Sequence, residues 1–438
     1  MIAHVSNEEI LEIIKELDNK SVGPNSIPVK LLKLIPDLIV VPLCEIIHQS
    51  FTTGIFPDAL KISKVIPIHK EGATDDLNNY RPISLLSIFD KIIEKLMHLR
   101  LYSFLQTHNI LFEKQFGFRK NSSTSLALNE IVEKIRQSID NKKHGCGIFI
   151  DLQKAFDTLN HEILLSKLEH YGIRGISLTW FKSYLSNRKQ YTFLNGISSP
   201  ILSINCGVPQ GSVLGPLLFL IYISDLPNIS KKLTFFLFAD DTNIFYESKS
   251  KLKLEKFLIK ELKKLYTWLV VNRLALNLNK TKFIVFHPYN KPNNTILNLR
   301  INKKPITQTN SIKYLGIILD STLSWKNHIN KISTKIKRAI GLMYKIRPYV
   351  FSKTLRTLYF SLIYPHLIYG IEVWGSACKT TINRLITLQK RAVRLIAGKD
   401  KRQDDFSFPP SKPIFVNLKI LQLHDISKYI FYVLSSNV

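Results

Sequence analysis

Apolar residues recur at two spacings along this chain, and the character of the pattern changes near Trp325. Residues 6–53 read as helices punctuated by Gly23-Pro24 and Pro36, since proline marks where a helix stops or starts. Ile88, Ile92, Leu96 and Leu99 recur at helical spacing and predict an amphipathic helix over 87–104; a second is predicted over 122–139. Residues 146–152 form a short, apolar, β-branched run after His144-Gly145, the pattern of a buried strand. Helices are expected over 161–170 and 252–269. Two apolar runs, 233–238 and 242–246, flank Ala239-Asp240-Asp241 and predict a hairpin with acids at its tip. Further strands are expected at 283–286 and 313–319. Beyond Trp325, Ile329, Ile332, Ile336, Ile340 and Met343 make an apolar helical stripe, with Lys331, Lys335, Lys337 and Arg338 off it. Strands followed by helices predict an α+β body with an all-helical, basic appendage.

Charge narrows the class of partner. The 438 residues hold 61 Lys and Arg against 33 Asp and Glu, a net charge of +28. A hydrophobic share of 45% is that of a folded chain and argues against disorder. The length allows two or three structural units. Such a field attracts polyanions, nucleic acid foremost, although a solvated surface that aids solubility is the plainer reading of charge alone. Residues 321–403 carry 17 Lys and Arg against only Glu372 and Asp400, whereas the first twenty residues are acidic. Cys44, Cys146, Cys206 and Cys378 stand far apart, so a zinc knuckle has no ligands and a reducing compartment fits. The start, MIAHVSNEEI, is not a signal peptide, and the apolar run 213–223 is too short to span a bilayer and reads as core. These features point to an intracellular protein of nucleus or cytoplasm, neither secreted nor membrane-bound.

Three places carry candidate chemistry. Asp240-Asp241 sits between apolar runs, where adjacent like charges raise each other's pKa unless a cation neutralises them; a polar turn explains the pair equally well. Asp151 ends the apolar strand Ile148-Phe149-Ile150 and could join that pair, although alone it reads as a helix cap. Three such carboxylates can hold two Mg²⁺ ions roughly 3.5–4 Å apart. The run GVPQGSVLGP, from Gly207 to Pro216, fixes a loop that another backbone can approach closely, with Gln210 at its centre. By composition alone it is an ordinary loop entering a helix.

The ordered set YRPISLLS, FGFRKNSST, FIDLQKAFDTLNH, GVPQGSVLGPLLF, FADD, LNLNKTK and YLG resembles the reverse transcriptase of non-LTR retrotransposons, the jockey-type, LINE-like branch above all. The tail pieces IYPHLIYGIEVWGSA and LQKRAVRLIAG resemble it too, so the likeness runs from about Asn19 to the C-terminus. Seven motifs in order are far more specific than any one.

The resemblance implies a polymerase right hand: an N-terminal helical extension over 1–55, fingers and palm over 56–320, a basic helical thumb over 321–400, and a C-terminal segment, open to truncation, over 401–438. It implies RNA-directed DNA synthesis with two Mg²⁺ ions, an RNA template, a DNA primer and dNTPs. Asp151, Asp240 and Asp241 match the catalytic acids, and the Leu152 carbonyl an additional metal ligand. Phe156 matches the aromatic beneath the sugar, where its ring excludes a 2′-hydroxyl; packing is the plainer role. Gln210 and Gly211 match the loop against the nascent base pair. Arg81 and Lys70 match residues that contact the triphosphate. Arg119 matches a fingers arginine on the template side. Lys280 and Lys282 match a segment where a lysine protonates pyrophosphate or contacts backbone phosphate. Tyr314, Leu315 and Gly316 match the turn at the primer end, and Lys331, Lys335, Lys337 and Arg338 would face the template–primer backbone. Ser224-Asp225 stands where the family usually has Asn-Asp. No endonuclease pattern precedes Asn19, so the chain is expected to be a fragment or a 5′-truncated copy. An RNA-making polymerase and a non-catalytic, nucleic-acid-binding remnant are the rival readings.

Overall fold

The computed structural model describes residues 4–18, 27–290, 296–399 and 408–436. Asn19, Gly23-Pro24, Asp400, Lys401, Arg402 and Gln403 lie outside the described residues. Ser6 opens α1 (Asn7–Glu16) with a reciprocal cap: its hydroxyl accepts the Glu9 N–H and the Glu9 carboxylate accepts its own N–H, each at 3.3 Å. After α2 (Val29–Leu34), Pro36 takes the first position of α3 (Pro36–Thr53), where no backbone donor is needed. Next come β1 (Ile62–His69), β2 (Tyr80–Leu85), α4 (Ile88–Thr107), α5 (Thr124–Asp140), β3 (His144–Ile150), α6 (His161–His170) and α7 (Ile176–Leu185). The strands β4 (Arg188–Leu194), β5 (Ile197–Ser198) and β6 (Leu202–Ile204) lead to α8 (Leu214–Ile223). Then follow β7 (Thr234–Phe238), β8 (Asp241–Ser248), α9 (Lys251–Val271), β9 (Lys282–Phe286), β10 (Arg300–Ile301), β11 (Lys304–Pro305), β12 (Thr307–Gln308), β13 (Ser311–Tyr314) and β14 (Ile317–Asp320). The described remainder is helical: α10 (Lys326–Ile346), α11 (Ser352–Leu362), α12 (Tyr364–Ile368), α13 (Ile371–Trp374), α14 (Lys379–Ile396), α15 (Ser411–Asn417) and α16 (Leu423–Ser436).

These elements make a mixed α and β fold around two main sheets. One runs β2-β1-β4-β5, with β6 on β4; the other, central, runs β12-β9-β3-β8-β7. Side chains alternate across a strand, so the central sheet serves two cores. Ile148, Ile150, Phe235, Leu237, Ile244 and Phe283 point into one, with α4, α6, α8 and α9. Phe149, Phe236, Phe245, Ile284 and Phe286 point into the other, with α5 and the C-terminal helices. Covering both faces is what makes these strands apolar throughout. Ile10, Ile14, Ile47 and Phe51 build α1 and α3 into the first core, and Ile414, Phe415, Leu423 and Ile426 build α15 and α16 into the second.

Two expectations are corrected. The helix over 87–104 is not one-sided: in α4, Ile88, Asp90, Ile92, Ile93, Glu94, Leu96 and Met97 are all buried, whereas Leu99 is exposed. Neighbours enclose its first turns on every side and uncover the Leu99 side later, so a single stripe cannot describe it. Residues 313–319 are not one strand. They are the hairpin β13–β14, pairing Tyr314 with Ile317 across Leu315 and Gly316, both at positive φ of 42° and 84°.

Candidate active site

The central sheet brings the three acids to one end. β3 and β8 pair antiparallel with Ile150 opposite Thr242, so the next step of the ladder sets Asp151 beside Asp241. β7 and β8 pair through Phe238 and Asp241, leaving Ala239 and Asp240 as the connecting turn. Ala239 turns at φ 54°, which side chains other than glycine's adopt rarely, and a buried glutamine over-determines it. The Gln115 side-chain oxygen accepts the N–H groups of Ala239 at 3.0 Å and Gly117 at 2.9 Å. Residues 114–116 lie along β7: the Leu237 N–H donates to the Lys114 carbonyl at 2.9 Å, and the Phe116 N–H to the Leu237 carbonyl at 2.8 Å. A Cβ on Gly117 would stand 2.3 Å from the Ala239 nitrogen, so the FGF glycine is what lets this segment pass beneath the acidic turn. Sequence reasoning missed Gln115; a lone glutamine ahead of an aromatic–glycine–aromatic run was the available signal.

Asp151 is held from the other side. Its N–H donates to the Thr281 hydroxyl at 3.4 Å, and its carbonyl accepts the Asn277 N–H at 2.9 Å. Leu152 bridges Leu276, and the Gln153 N–H donates to the Ala275 carbonyl at 2.8 Å. The LNLNKTK motif is therefore the backbone clamp on the acid-bearing strand end. Lys280 is exposed, while Lys282 is half-buried at the start of β9, opposite Phe149.

Electrostatics tie the acids to the first sheet. Crowding by surrounding protein raises the pKa of Asp240, and the Asp151 charge adds to it, while Lys70 and Arg81 oppose the rise. Asp241 is pushed up to about 6 by the same loss of solvation, then by Asp240 and Asp151, with Lys70 opposing. Both side chains still reach solvent, so the desolvation is partial. Arg81 lies on β2 opposite Ile68, and the Lys70 N–H donates to the Asn79 carbonyl at 2.8 Å just beyond β1, so one hairpin end carries both cations. Among the described residues no three His, Cys, Asp or Glu side chains close into a ready coordination cluster. The donor set fits a hard divalent cation through its carboxylate chemistry and the raised pKa values of Asp240 and Asp241, which a bound cation would reverse.

Beside the acids, two loops are buckled together. The Val208 N–H donates to the Phe156 carbonyl at 2.9 Å, the Gly207 N–H to the Leu159 carbonyl at 2.7 Å, and the His161 ring to the Gly207 carbonyl at 2.7 Å. Gly207, at φ 81°, would put a Cβ 2.5 Å from the Asp157 carbonyl oxygen; Gly211, at φ 122°, would put one 2.7 Å from that of Ser84. The Ser84 N–H donates to the Gln210 carbonyl at 2.7 Å, so the loop leans on β2 three residues from Arg81. The Gln210 amide donates to the Asp157 carboxylate at 2.9 Å. Burial raises the Asp157 pKa against that hydrogen bond. Phe156 is half-buried, stacked on Phe219 at 4.8 Å and edge-on to the exposed Phe118 at 6.4 Å.

Other candidates stand elsewhere. The Arg119 guanidinium donates to the carbonyls of Phe112 at 2.9 Å and Glu113 at 3.2 Å, bracing its own loop. Tyr314 is buried against Phe149 at 5.7 Å; burial raises its pKa. The Tyr369 hydroxyl donates to the Leu315 carbonyl at 2.6 Å and covers Gly316, so this turn docks on the C-terminal helices. Lys331, Lys335, Lys337 and Arg338 are all exposed on α10, opposite its buried Ile332, Ile336 and Ile340.

Residues 68–319 match the family model described as reverse transcriptase (RNA-dependent DNA polymerase). The chain is 31% identical over 410 residues to the RNA-directed DNA polymerase from mobile element jockey of Drosophila melanogaster, covering 91% of this chain and 44% of that protein. It is 33% identical over 417 residues to the probable RNA-directed DNA polymerase from transposon BS of the same organism, covering 89% and 44%. A more distant relative, the Pol polyprotein from type-1 retrotransposable element R1 of Bradysia coprophila, is 26% identical over 362 residues, covering 81% and 35%. The chain thus spans less than half the length of these relatives.

Proposed function

The chain belongs to the reverse transcriptase family, in the jockey-type branch of non-LTR retrotransposons, and on that premise we propose that it extends a DNA primer 3′-hydroxyl with dNTPs on an RNA template. The observation that carries the proposal is the meeting of Asp151, Asp240 and Asp241 at one sheet end, within the field of Lys70 and Arg81. In this reading the central sheet and its helices are the palm, the β1–β2–β4 sheet belongs to the fingers, and the basic helices from α10 onward form the thumb. Asp151, Asp240, Asp241 and the Leu152 carbonyl would hold two Mg²⁺ ions. When bound, such ions acidify the attacking hydroxyl and neutralise charge on the leaving pyrophosphate.

The chain's own residues do the rest by positioning and fixed charge. Lys70 and Arg81 draw the triphosphate toward the acids; Arg81 brings the planar fork suited to phosphate. Phe156, wedged between Phe219 and Phe118, floors the sugar and excludes a 2′-hydroxyl. The Gln210 loop, locked to β2 and to the 156–161 turn, supports the nascent base pair. Lys280 and Lys282 flank Thr281, which holds the Asp151 N–H, so either lysine would stand near the pyrophosphate or a backbone phosphate. Lys331, Lys335, Lys337 and Arg338 hold the template–primer backbone. Primer extension on a poly(A)-ended RNA with Mg²⁺, run with dNTPs and with rNTPs, tests the proposal. Extension with dNTPs is expected; folded, RNA-binding protein that extends nothing overturns it, and equal use of rNTPs overturns the choice of sugar.

A further inference from the structure

α8 begins in the core with only part of its N-terminus capped locally. Its N-cap residue is Val213, which has no side-chain acceptor, and nine of its ten residues are buried. Exposed backbone donors at a buried helix start must find partners. A carboxylate from another helix supplies them. Glu94 of α4 is wholly buried; one oxygen accepts the Val213 N–H at 2.5 Å, and the Leu214 N–H bonds to the same carboxylate. Its other oxygen accepts the Tyr184 hydroxyl. The Gly215 N–H goes to the Ser212 hydroxyl at 2.9 Å, which itself donates to the Pro209 carbonyl at 3.0 Å. The start of α8 is thus tied to the loop before it.

The acid is kept in the core by a second layer. Asp90 lies one turn earlier on α4 and is equally buried, and like charges at that spacing repel. Arg188 answers both: it meets Asp90 at 3.3 Å, donates to the Tyr184 carbonyl at 3.3 Å and stacks on the Tyr184 ring at 4.8 Å. Yet among the described residues one Asp90 oxygen and the Arg188 Nε have no hydrogen-bond partner. A half-satisfied buried ion cluster is a poor way to gain stability, since apolar residues of equal volume do as well. Arg188 and Tyr184 also pack on Phe56, but among the described residues the side-chain hydrogen bonds that leave the cluster go to the start of α8, which points to a role there.

We infer that Glu94 is a positioning residue: by capping α8 from within the core, it fixes the Gln210 loop and sets the affinity for the incoming nucleotide without touching it. The inference rests on the nucleotide-binding role proposed for that loop. The anchoring has two parts. The loop itself is held by backbone bonds to Ser84 and to residues 156–161, whereas among the described residues Glu94 supplies the carboxylate tie at the helix start that follows it.

The test compares two losses at one carboxylate. Glu94→Gln weakens the charged tie to Val213 and Leu214; Tyr184→Phe removes only the hydroxyl on the far oxygen. Steady-state extension on RNA and hydrogen exchange of backbone amides are measured on both full-length variants. Glu94→Gln is expected to raise the KM for dNTP about tenfold with kcat changed less than about threefold. Its exchange should quicken at residues 206–215 above the change elsewhere. Tyr184→Phe should leave KM and that local exchange near wild type even if its melting temperature falls. Unchanged KM and loop exchange in folded Glu94→Gln, or the same KM shift in both variants, overturns the inference. If the wild type extends no primer, the function proposed above fails, and loop exchange alone still decides this one. Should Glu94→Gln not fold, Glu94→Asp keeps the charge beside Arg188 but withdraws it from α8, and the same readouts apply.

Discussion

Two places in this chain crowd carboxylates together, and they resolve the repulsion in opposite ways. On α4, Asp90 and Glu94 are buried and bound from within by Arg188, Tyr184 and Val213. At the end of the central sheet, Asp151, Asp240 and Asp241 make no ion pair among the described residues, and Lys70 and Arg81 act on them only through space. Burial raises the carboxyl pKa in both places. Where the chain itself supplies the cation and donors, the acids organise structure. Where it withholds them at an accessible edge, the residual repulsion is free energy that an incoming cation can recover.

The sharpest break between the two comes from removing charge at the edge. Asp151→Asn, Asp240→Asn or Asp241→Asn should each lower primer extension by ~10³-fold or more, while RNA binding and folding stay near wild type. Asp241 adds a signed pH effect. Its folded pKa of about 6 lies above the ordinary carboxylate value, so ionising it opposes folding as pH rises through that window. Asp241→Asn should therefore raise the melting temperature slightly at pH 7 and leave it unchanged near pH 3. A variant that extends primers within a few-fold of wild type removes that acid from the site.

In the core the same operation should act on stability. Arg188→Met strands two buried carboxylates and is expected to cost about 3–5 kcal/mol in chemical denaturation. Adding Asp90→Asn to Arg188→Met should restore part of that loss, because the pair is coupled. Additive losses would show that Arg188 acts through its aromatic stacking on Tyr184 and Phe56 instead.

Phe156 stands where the two regions meet, packed on Phe219 of α8 yet close to the acids' strand. Phe156→Ala should raise the relative kcat/KM for rNTPs by roughly 10–100-fold with a smaller loss for dNTPs. Equal loss for both sugars, with a lowered melting temperature, would assign the ring to the core.

The sequence made the open edge legible and the closed core obscure, for a physical reason. An acid at the end of an apolar strand violates local patterning, so Asp151 and Asp240-Asp241 stand out. Asp90 and Glu94 look like the polar face of an amphipathic helix, and only partners from distant segments (Tyr184 of α7, Arg188 of β4 and the start of α8) neutralise and cover them. The same blindness put Leu99 on a buried stripe. The β13–β14 turn was legible at Tyr314, Leu315 and Gly316 only through the resemblance; the apolar run over 313–319 hid it, because Leu315 occupies a positive φ that usually announces itself with Asn or Gly. The α10 stripe was readable because its period held for five residues, Ile329 to Met343, all buried.

The smallest effect extends the comparison to positive charge. On α10, Lys331, Lys335, Lys337 and Arg338 are exposed, and among the described residues none has an ion-pair partner. Arg188 shows what a neutralised cation looks like in this fold; these four are its converse. If they meet a nucleic-acid backbone, each one releases counterions, and the slope of log affinity against log salt falls by about 0.7–0.9 for each phosphate left without its lysine. Lys335→Gln with Lys337→Gln should flatten that slope by up to twice this amount, equally for templates of any sequence, because phosphate contacts position without reading bases. Stability should hardly move, since both side chains lie off the buried face. An unchanged slope would mean these lysines face solvent in the complex. A weakening confined to one template sequence would mean they read bases, and the rule that unpartnered charge marks a backbone contact would fail on this helix.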